Sequence, residues 1–174
     1  MTPGAGRPTL VEVTTGVRVR VPASSANLGP GFDALGLALG LYDEVVVVPA
    51  DAPGVTVEVV GEGAAEVPRD ETHLVVRAMR ATFDRLGVRP AAGLAMTCEN
   101  KIPHGRGLGS SSAAIVAGIV AARALVPDGA SRLPTSSALA LASELEGHPD
   151  NVAACLLGGL TVAWTAAGPD ASGA

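Results

Sequence analysis

Aromatic residues are scarce: Phe32, Tyr42, Phe83 and Trp164 are the only four in 174 residues, 2% of the chain. A core must therefore be assembled from Val, Leu, Ile and Ala. Lysine is scarcer still, with Lys101 alone beside eleven arginines and no run of basic residues anywhere. Twelve basic residues against 17 acidic ones give a net charge of −5. A nucleic-acid binder carries a basic stripe and often stacking aromatics, so that class is disfavoured. Cysteine is limited to Cys98 and Cys155, far apart and in no CxxC pair. A disulfide framework is not expected, and a reducing cytoplasm is the default setting. The longest apolar run, residues 113–122, is interrupted by Gly118 and ended by Arg123; it falls short of the roughly 20 residues that span a bilayer. The opening residues MTPGAGRPTLVEV lack the compact apolar stretch of a signal peptide.

What is present describes a globular chain. Hydrophobic residues make up 48%, charged residues 17%, and mean hydropathy is +0.38, which excludes intrinsic disorder. The length suits one domain with a short appendage. Residues 1–15, rich in Gly, Pro and Thr, are expected to form a flexible arm. Residues 16–165 form the domain, and residues 166–174 are expected to be a linker or a truncated end.

Local pattern supplies the elements. Residues 17–21 alternate as VRVRV, a strand of period two that Pro22 should end, and residues 23–31 (ASSANLGPG) should be a loop. Residues 32–41 are ambiguous. Residues 44–48, 55–60 and 93–99 read as strands. Residues 71–86 carry apolar side chains at helical spacing, with Gly87 as the stop. A second helix should begin near Ser110 and reach Leu125. Others should cover 135–146, capped by Thr135 or Ser136, and 149–156, followed by a strand over 159–164. Strands and helices are segregated, so the class is α+β.

Three segments could do chemistry. Residues 103–112 read PHGRGLGSSS and open a long helix. A helix N-terminus offers free N–H groups and a positive dipole end to an anion. Gly105, Gly107 and Gly109 let backbone approach a phosphate, and Ser110, Ser111 and Ser112 add hydroxyls for phosphate or Mg²⁺. The segment is not a Walker A loop, which needs Lys after its last Gly, and its spacing is not GxGxxG. Residues 22–33, PASSANLGPGFD, offer Asn27 as a hydrogen-bonding group and Asp33 as a partner for a cation. Residues 144–151, ELEGHPDN, crowd Glu144, His148, Asp150 and Asn151 at a helix break. Each segment also has a plainer reading: a Gly-rich turn, an Asx-type turn, and a solvated helix end. His73 is expected at the surface near a helix start, His104 beside the Gly-rich loop, and both cysteines in the core.

Together the three segments resemble the GHMP small-molecule kinases, the group of galactokinase, homoserine kinase, mevalonate kinase and phosphomevalonate kinase. Residues 103–114 are similar to the phosphate loop written PxxxGLGSSAA, with Ser112 in place of the first alanine. Residues 22–33 resemble the homoserine kinase form PATSANLGPGFD, with Ser24 for Thr the one departure. Residues 148–153 are similar to the HxDNVA segment of the same branch. The resemblance covers about residues 17–164.

The resemblance implies an α+β GHMP kinase N-terminal lobe, similar to ribosomal protein S5 domain 2. It also implies ATP:L-homoserine phosphotransfer in threonine biosynthesis, with ATP and Mg²⁺ as cofactors. By that likeness Pro103, His104, Gly105, Arg106, Gly107, Leu108, Gly109, Ser110, Ser111, Ser112 and Ala113 would wrap the ATP phosphates. Ser111 (or else Ser110) and Glu144 would hold Mg²⁺. Asn27, Asp33, His148 and Asp150 would hold homoserine. Asp150 and Asn151 would be the catalytic pair, with Asp150 the one candidate base and Asn151 near the reacting hydroxyl. A homodimer is implied, and neither nucleic acid nor membrane is a partner. Such kinases have two lobes; the SGSGPT-like motif and the arginines of the second have no match here, so an N-terminal lobe alone is expected. Two alternatives stand beside this reading: a GHMP kinase for mevalonate or a sugar, and a non-catalytic nucleotide-binding fragment.

Overall fold

The computed structural model describes residues 8–165. The expectations for residues 1–7 and 166–174 lie outside that range.

A sheet carries the domain. Strands β2 (Val17–Leu28), β3 (Gly31–Ala50), β6 (Gly93–Asn100) and β4 (Val55–Gly61) lie in the order β2-β3-β6-β4, and β7 (Leu160–Val162) pairs with the first half of β3. The β2–β3, β3–β6 and β3–β7 pairings are antiparallel and β4–β6 is parallel, so the sheet is mixed. Alternation decides which face is covered. Val19, Val21, Val45, Val47, Leu94, Met96 and Cys98 are buried. On β2 the outward positions hold Arg20, stacked on Tyr42 at 3.8 Å, and Arg18, paired with Glu44.

The helices cover the buried face: α1 (Leu74–Leu86), α2 (Ser110–Leu125), the short α3 (Gly129–Arg132), α4 (Thr135–Glu146) and α5 (Asp150–Leu157). Helix α2 is the central one, lined by Ala113, Ala117, Ala121 and Ala122, all buried. The shortage of aromatics thus becomes close helix packing. At Gly118 an added Cβ would stand 2.4 Å from the Val75 carbonyl oxygen of α1. At Gly36 of β3 it would stand 2.3 Å from the Asp150 carbonyl oxygen, so the missing side chain seats the start of α5 on the sheet.

The α+β expectation holds, and the helices 74–86, 110–125, 135–146 and 150–157 fall close to where periodicity put them. Four expectations change. Residues 23–31 are not a loop, because both strands continue as a long hairpin whose turn is Gly29–Pro30. Pro22 does not end β2 but marks a bulge: the register passes from Pro22↔Tyr42 to Ser24↔Ala38, so extra β3 residues are accommodated there. The arm is partly docked. Residues Thr9–Val11 form β1, parallel to β5 (Val88–Pro90), and Val13 is buried. Helix α4 begins after Pro134 with no side-chain cap, in place of the Thr135 or Ser136 cap.

Candidate nucleotide and phosphoryl-transfer site

The Gly-rich loop ends where α2 begins. Gly109 is the N-cap residue, in the left-handed region at φ 67°, and no side chain caps the first turn of α2. Gly105 (φ 64°) and Gly107 (φ 71°) share that conformation, and nothing lies within 4 Å of the Cβ each lacks. The loop is open to a ligand on the glycine side, and the first-turn N–H groups lack a side-chain acceptor. Arg106 is exposed within it. Leu108 packs on the core, and its carbonyl oxygen accepts from Ser24 N at 3.0 Å. This bond ties the loop to β2.

The serines divide their work. Ser111 is exposed and donates to Glu146 Oε2 at 2.9 Å; Ser112 is fully buried and donates to Glu146 Oε1 at 2.7 Å. The carboxylate that meets the loop is therefore Glu146 and not Glu144. Glu144 faces away and pairs with Arg85 of α1 at 2.7 Å, both side chains about half exposed. Helical phase explains the difference. Ala138 and Ala142 are buried at spacing i, i+4, and Glu146 continues that row, while Glu144 sits roughly 160° around the helix from it. The Ala138–Ala142 row was legible and points to Glu146.

Helix α5 brings a second group. His148 Nδ1 lies 2.6 Å from Asp150 Oδ1, which also accepts from Asn151 N at 2.8 Å. Asp150 is fully buried and its Oδ2 has no partner among the described residues. Asp150 was expected to hold substrate and to be the one candidate base; it lies fully buried behind His148, whose side chain is 45% exposed, and its Oδ1 holds the His148 ring. Asn151 approaches the loop. Its Oδ1 accepts from Ser24 Oγ at 2.8 Å, and a Cβ on Gly109 would meet both groups. Ser24 is fully buried. Its position in the motif signalled no role, because the contact is long-range and depends on the Pro22 bulge.

Asn27 and Asp33 form a separate unit at the hairpin tip. Both have positive φ, 59° and 57°, rare for residues with side chains. Asn27 Oδ1 accepts from Asp33 N at 2.9 Å, which holds the tip, and the Asp33 carboxylate has no partner among the described residues. No hydrogen bond or ion pair links this pair to His148 or Asn151 among the described residues.

Beside the loop lies a cavity of about 340 Å³, bordered by Ser110, Ser111, His104, His73, Pro68 and Asp43 among others, in the range of small-molecule sites, roughly 300–1,000 Å³. Asp43 accepts from the N–H groups of Lys101 and Ile102, at 2.6 and 2.9 Å, and so fixes the entry to the loop. Burial raises its pKa, against the pull of those two N–H groups. His73 is buried, contrary to its expected surface place, and caps α1 by accepting from Val75 N at 3.3 Å. Burial lowers its pKa, Asp70 opposes this, and the like charge of His104 adds to it. Both cysteines are buried as expected, with thiols pushed up by burial to about 12 for Cys98 and about 11 for Cys155.

The family model for the N terminal domain of GHMP kinases matches residues 73–159, from the cap of α1 through the loop and α5. The chain belongs to the GHMP kinases. A homoserine kinase from Streptomyces coelicolor is 65% identical over 152 residues, covering 87% of this chain and 48% of that protein. One from Streptomyces avermitilis is 63% identical over 152 residues, covering 87% and 49%. The crystal structure of homoserine kinase from Cytophaga hutchinsonii superposes with a TM-score of 0.74 at 32% identity, covering 86% of this chain and 48% of that one. This GHMP kinase chain thus spans about half the length of the curated relatives it matches.

The donor set at the loop mouth fits Mg²⁺. Glu146 and Ser111 offer hard oxygen donors, and Mg²⁺ is typically held by one or two carboxylates together with substrate phosphates and water. Among the described residues no three His, Cys, Asp or Glu side chains form a metal cage, and none of the described helices is long and apolar enough to cross a membrane.

Proposed function

We propose that this chain is the nucleotide-binding lobe of an enzyme that transfers the γ-phosphoryl group of ATP to the hydroxyl of L-homoserine, giving ADP and O-phospho-L-homoserine. The observation that carries the proposal is the convergence of the uncapped α2 N-terminus, the Ser111–Glu146 pair and Asn151 at one loop. The 63–65% identity to proteins named homoserine kinase, together with residues 22–33, favours homoserine among alcohols.

Residues 103–113 wrap the phosphates. Phosphoryl transfer depends mainly on positioning and charge neutralisation. The N–H groups of the first turn of α2 and the three loop glycines supply the cradle. The adjacent cavity takes the nucleoside. Ser111 and Glu146 would hold Mg²⁺, which would supply neutralisation of charge on the phosphates. Ser112 is the exception within residues 103–113: it is buried and steadies Glu146 without touching the ligand. Asp33 offers a free carboxylate to the substrate ammonium, and His148, oriented by Asp150, offers its exposed ring edge. Asn151 stands by the reacting hydroxyl. The family resemblance supports a homodimer in the cytoplasm.

The test is ADP release with Mg-ATP, with and without L-homoserine, for the protein that carries this lobe. Homoserine-dependent release is expected. Release that depends on mevalonate or galactose and not on homoserine would overturn the substrate assignment.

A further inference from the structure

Ser24 is fully buried, so it cannot touch a substrate. It is nevertheless held on every side by groups of the site. Its N–H donates to Leu108 of the phosphate loop. Its hydroxyl donates to Asn151 Oδ1 at 2.8 Å. The Cys155 thiol donates toward its Oγ and toward the Pro22 carbonyl, each at 3.3 Å. With its pKa pushed up to about 11 by burial, that thiol keeps its proton at neutral pH. Gly109 has no side chain where one would collide with this arrangement: an added Cβ would lie 2.1 Å from Ser24 Oγ.

The two ends of the Asn151 carboxamide are chemically opposite. The oxygen accepts and the NH₂ donates. An anionic phosphoryl group is stabilised by a donor and repelled by an oxygen. The oxygen is occupied by Ser24, while the NH₂ group has no partner among the described residues and is not among the buried atoms left unpaired. We propose that Ser24 is a positioning residue that locks the Asn151 amide with its oxygen inward and its NH₂ toward the phosphate loop, where it donates to the transferring phosphoryl group. This deepens the kinase reading and rests on it.

Without the Ser24 hydroxyl the amide is free to present either end. Removing one preorganised donor outright costs about 10²–10³ in kcat, so Asn151→Ala should lose that much. Ser24→Ala should lose about tenfold in kcat, with KM for ATP and for the alcohol within about twofold of the parent, because the ground-state contacts are untouched. Ser24→Thr restores the hydroxyl and should recover most of the loss. A double-mutant cycle is decisive: Ser24→Ala added to Asn151→Ala should cost nothing further. Parent-like kcat in Ser24→Ala, or the same fold-loss in both backgrounds, would overturn the proposal. The ratios are measured with whichever alcohol the parent phosphorylates, so a wrong substrate assignment and a wrong role for Ser24 fail separately. If the chain turns over no alcohol, the Asn151 side-chain amide signals in a nitrogen-labelled sample carry the test. Bound Mg-ATP should leave one fixed pair of amide signals in the parent and in Ser24→Thr but averaged, less shifted signals in Ser24→Ala; equal shifts in all three would overturn it.

Discussion

Glu144 and Glu146 lie two residues apart and do unrelated things. One sits in a surface pair with Arg85, worth at most about 1 kcal/mol; the other receives two serine hydroxyls at the mouth of the Gly-rich loop. His73 shows the same dependence on position. It is buried, its Nδ1 must stay unprotonated to accept from Val75 N, and burial lowers its pKa below the ordinary 6.5. A group whose folded pKa is depressed contributes full stability above the unfolded value and loses it as pH falls toward the folded one. Tm should therefore drop between pH 7.5 and 5.5, and His73→Gln should drop less over the same interval. Equal drops would show that His73 does not sense pH. At this scale the sequence marked segments that the structure brings together, while the side-chain contacts differ from the expected ones. Loop residues 103–113 and Asn151 were legible as motif positions. Ser24 and the burial of Asp150 were not, because both depend on where β2, β3 and α5 meet.

Among the elements, α1 and α2 test the idea that small residues replace aromatics. Gly118 sits mid-helix, where alanine ordinarily stabilises by roughly 0.5–1 kcal/mol. Here the added methyl would meet the Val75 carbonyl oxygen at 2.4 Å and Ala78 Cβ at 2.7 Å. Gly118→Ala should destabilise by about 1–3 kcal/mol, with Tm falling roughly 2–4 °C for each kcal/mol at this chain length. A rise in Tm would contradict the close packing. The helices were legible because their periodicity and stops are local. The hairpin was not: Ser, Asn, Gly and Pro over residues 23–31 carry turn signals, yet pairing with 31–38 holds most of them in strand. Strands β1 and β5 were missed because three-residue pairings leave no periodic trace.

Over the whole molecule, the net charge of −5 opposes an anionic nucleotide. The one lysine is spent on Glu99, before the loop. On the proposed reading, attraction comes from the local dipoles of the α2 N-terminus, from the exposed Arg106 in the loop and from a cation at Glu146, so ATP without Mg²⁺ should bind poorly. Leu160, Val162 and Trp164 remain exposed around β7, away from the buried face of the sheet. The α+β class and the kinase lobe were legible because three separated motifs agree on one fold. The layer order was not, since parallel β4–β6 pairing across α1 is set by tertiary packing.

The most direct test of the account is calorimetric titration of Mg-ATP into this chain and into its Glu146→Ala and Glu144→Ala variants, with and without chelator. The account predicts binding that weakens sharply when Mg²⁺ is removed, Glu144→Ala indistinguishable from the parent, and Glu146→Ala weakened with little remaining Mg²⁺ dependence. Loss of Mg²⁺-dependent binding in Glu144→Ala with Glu146→Ala unaffected, or no nucleotide binding by the folded parent, would contradict it.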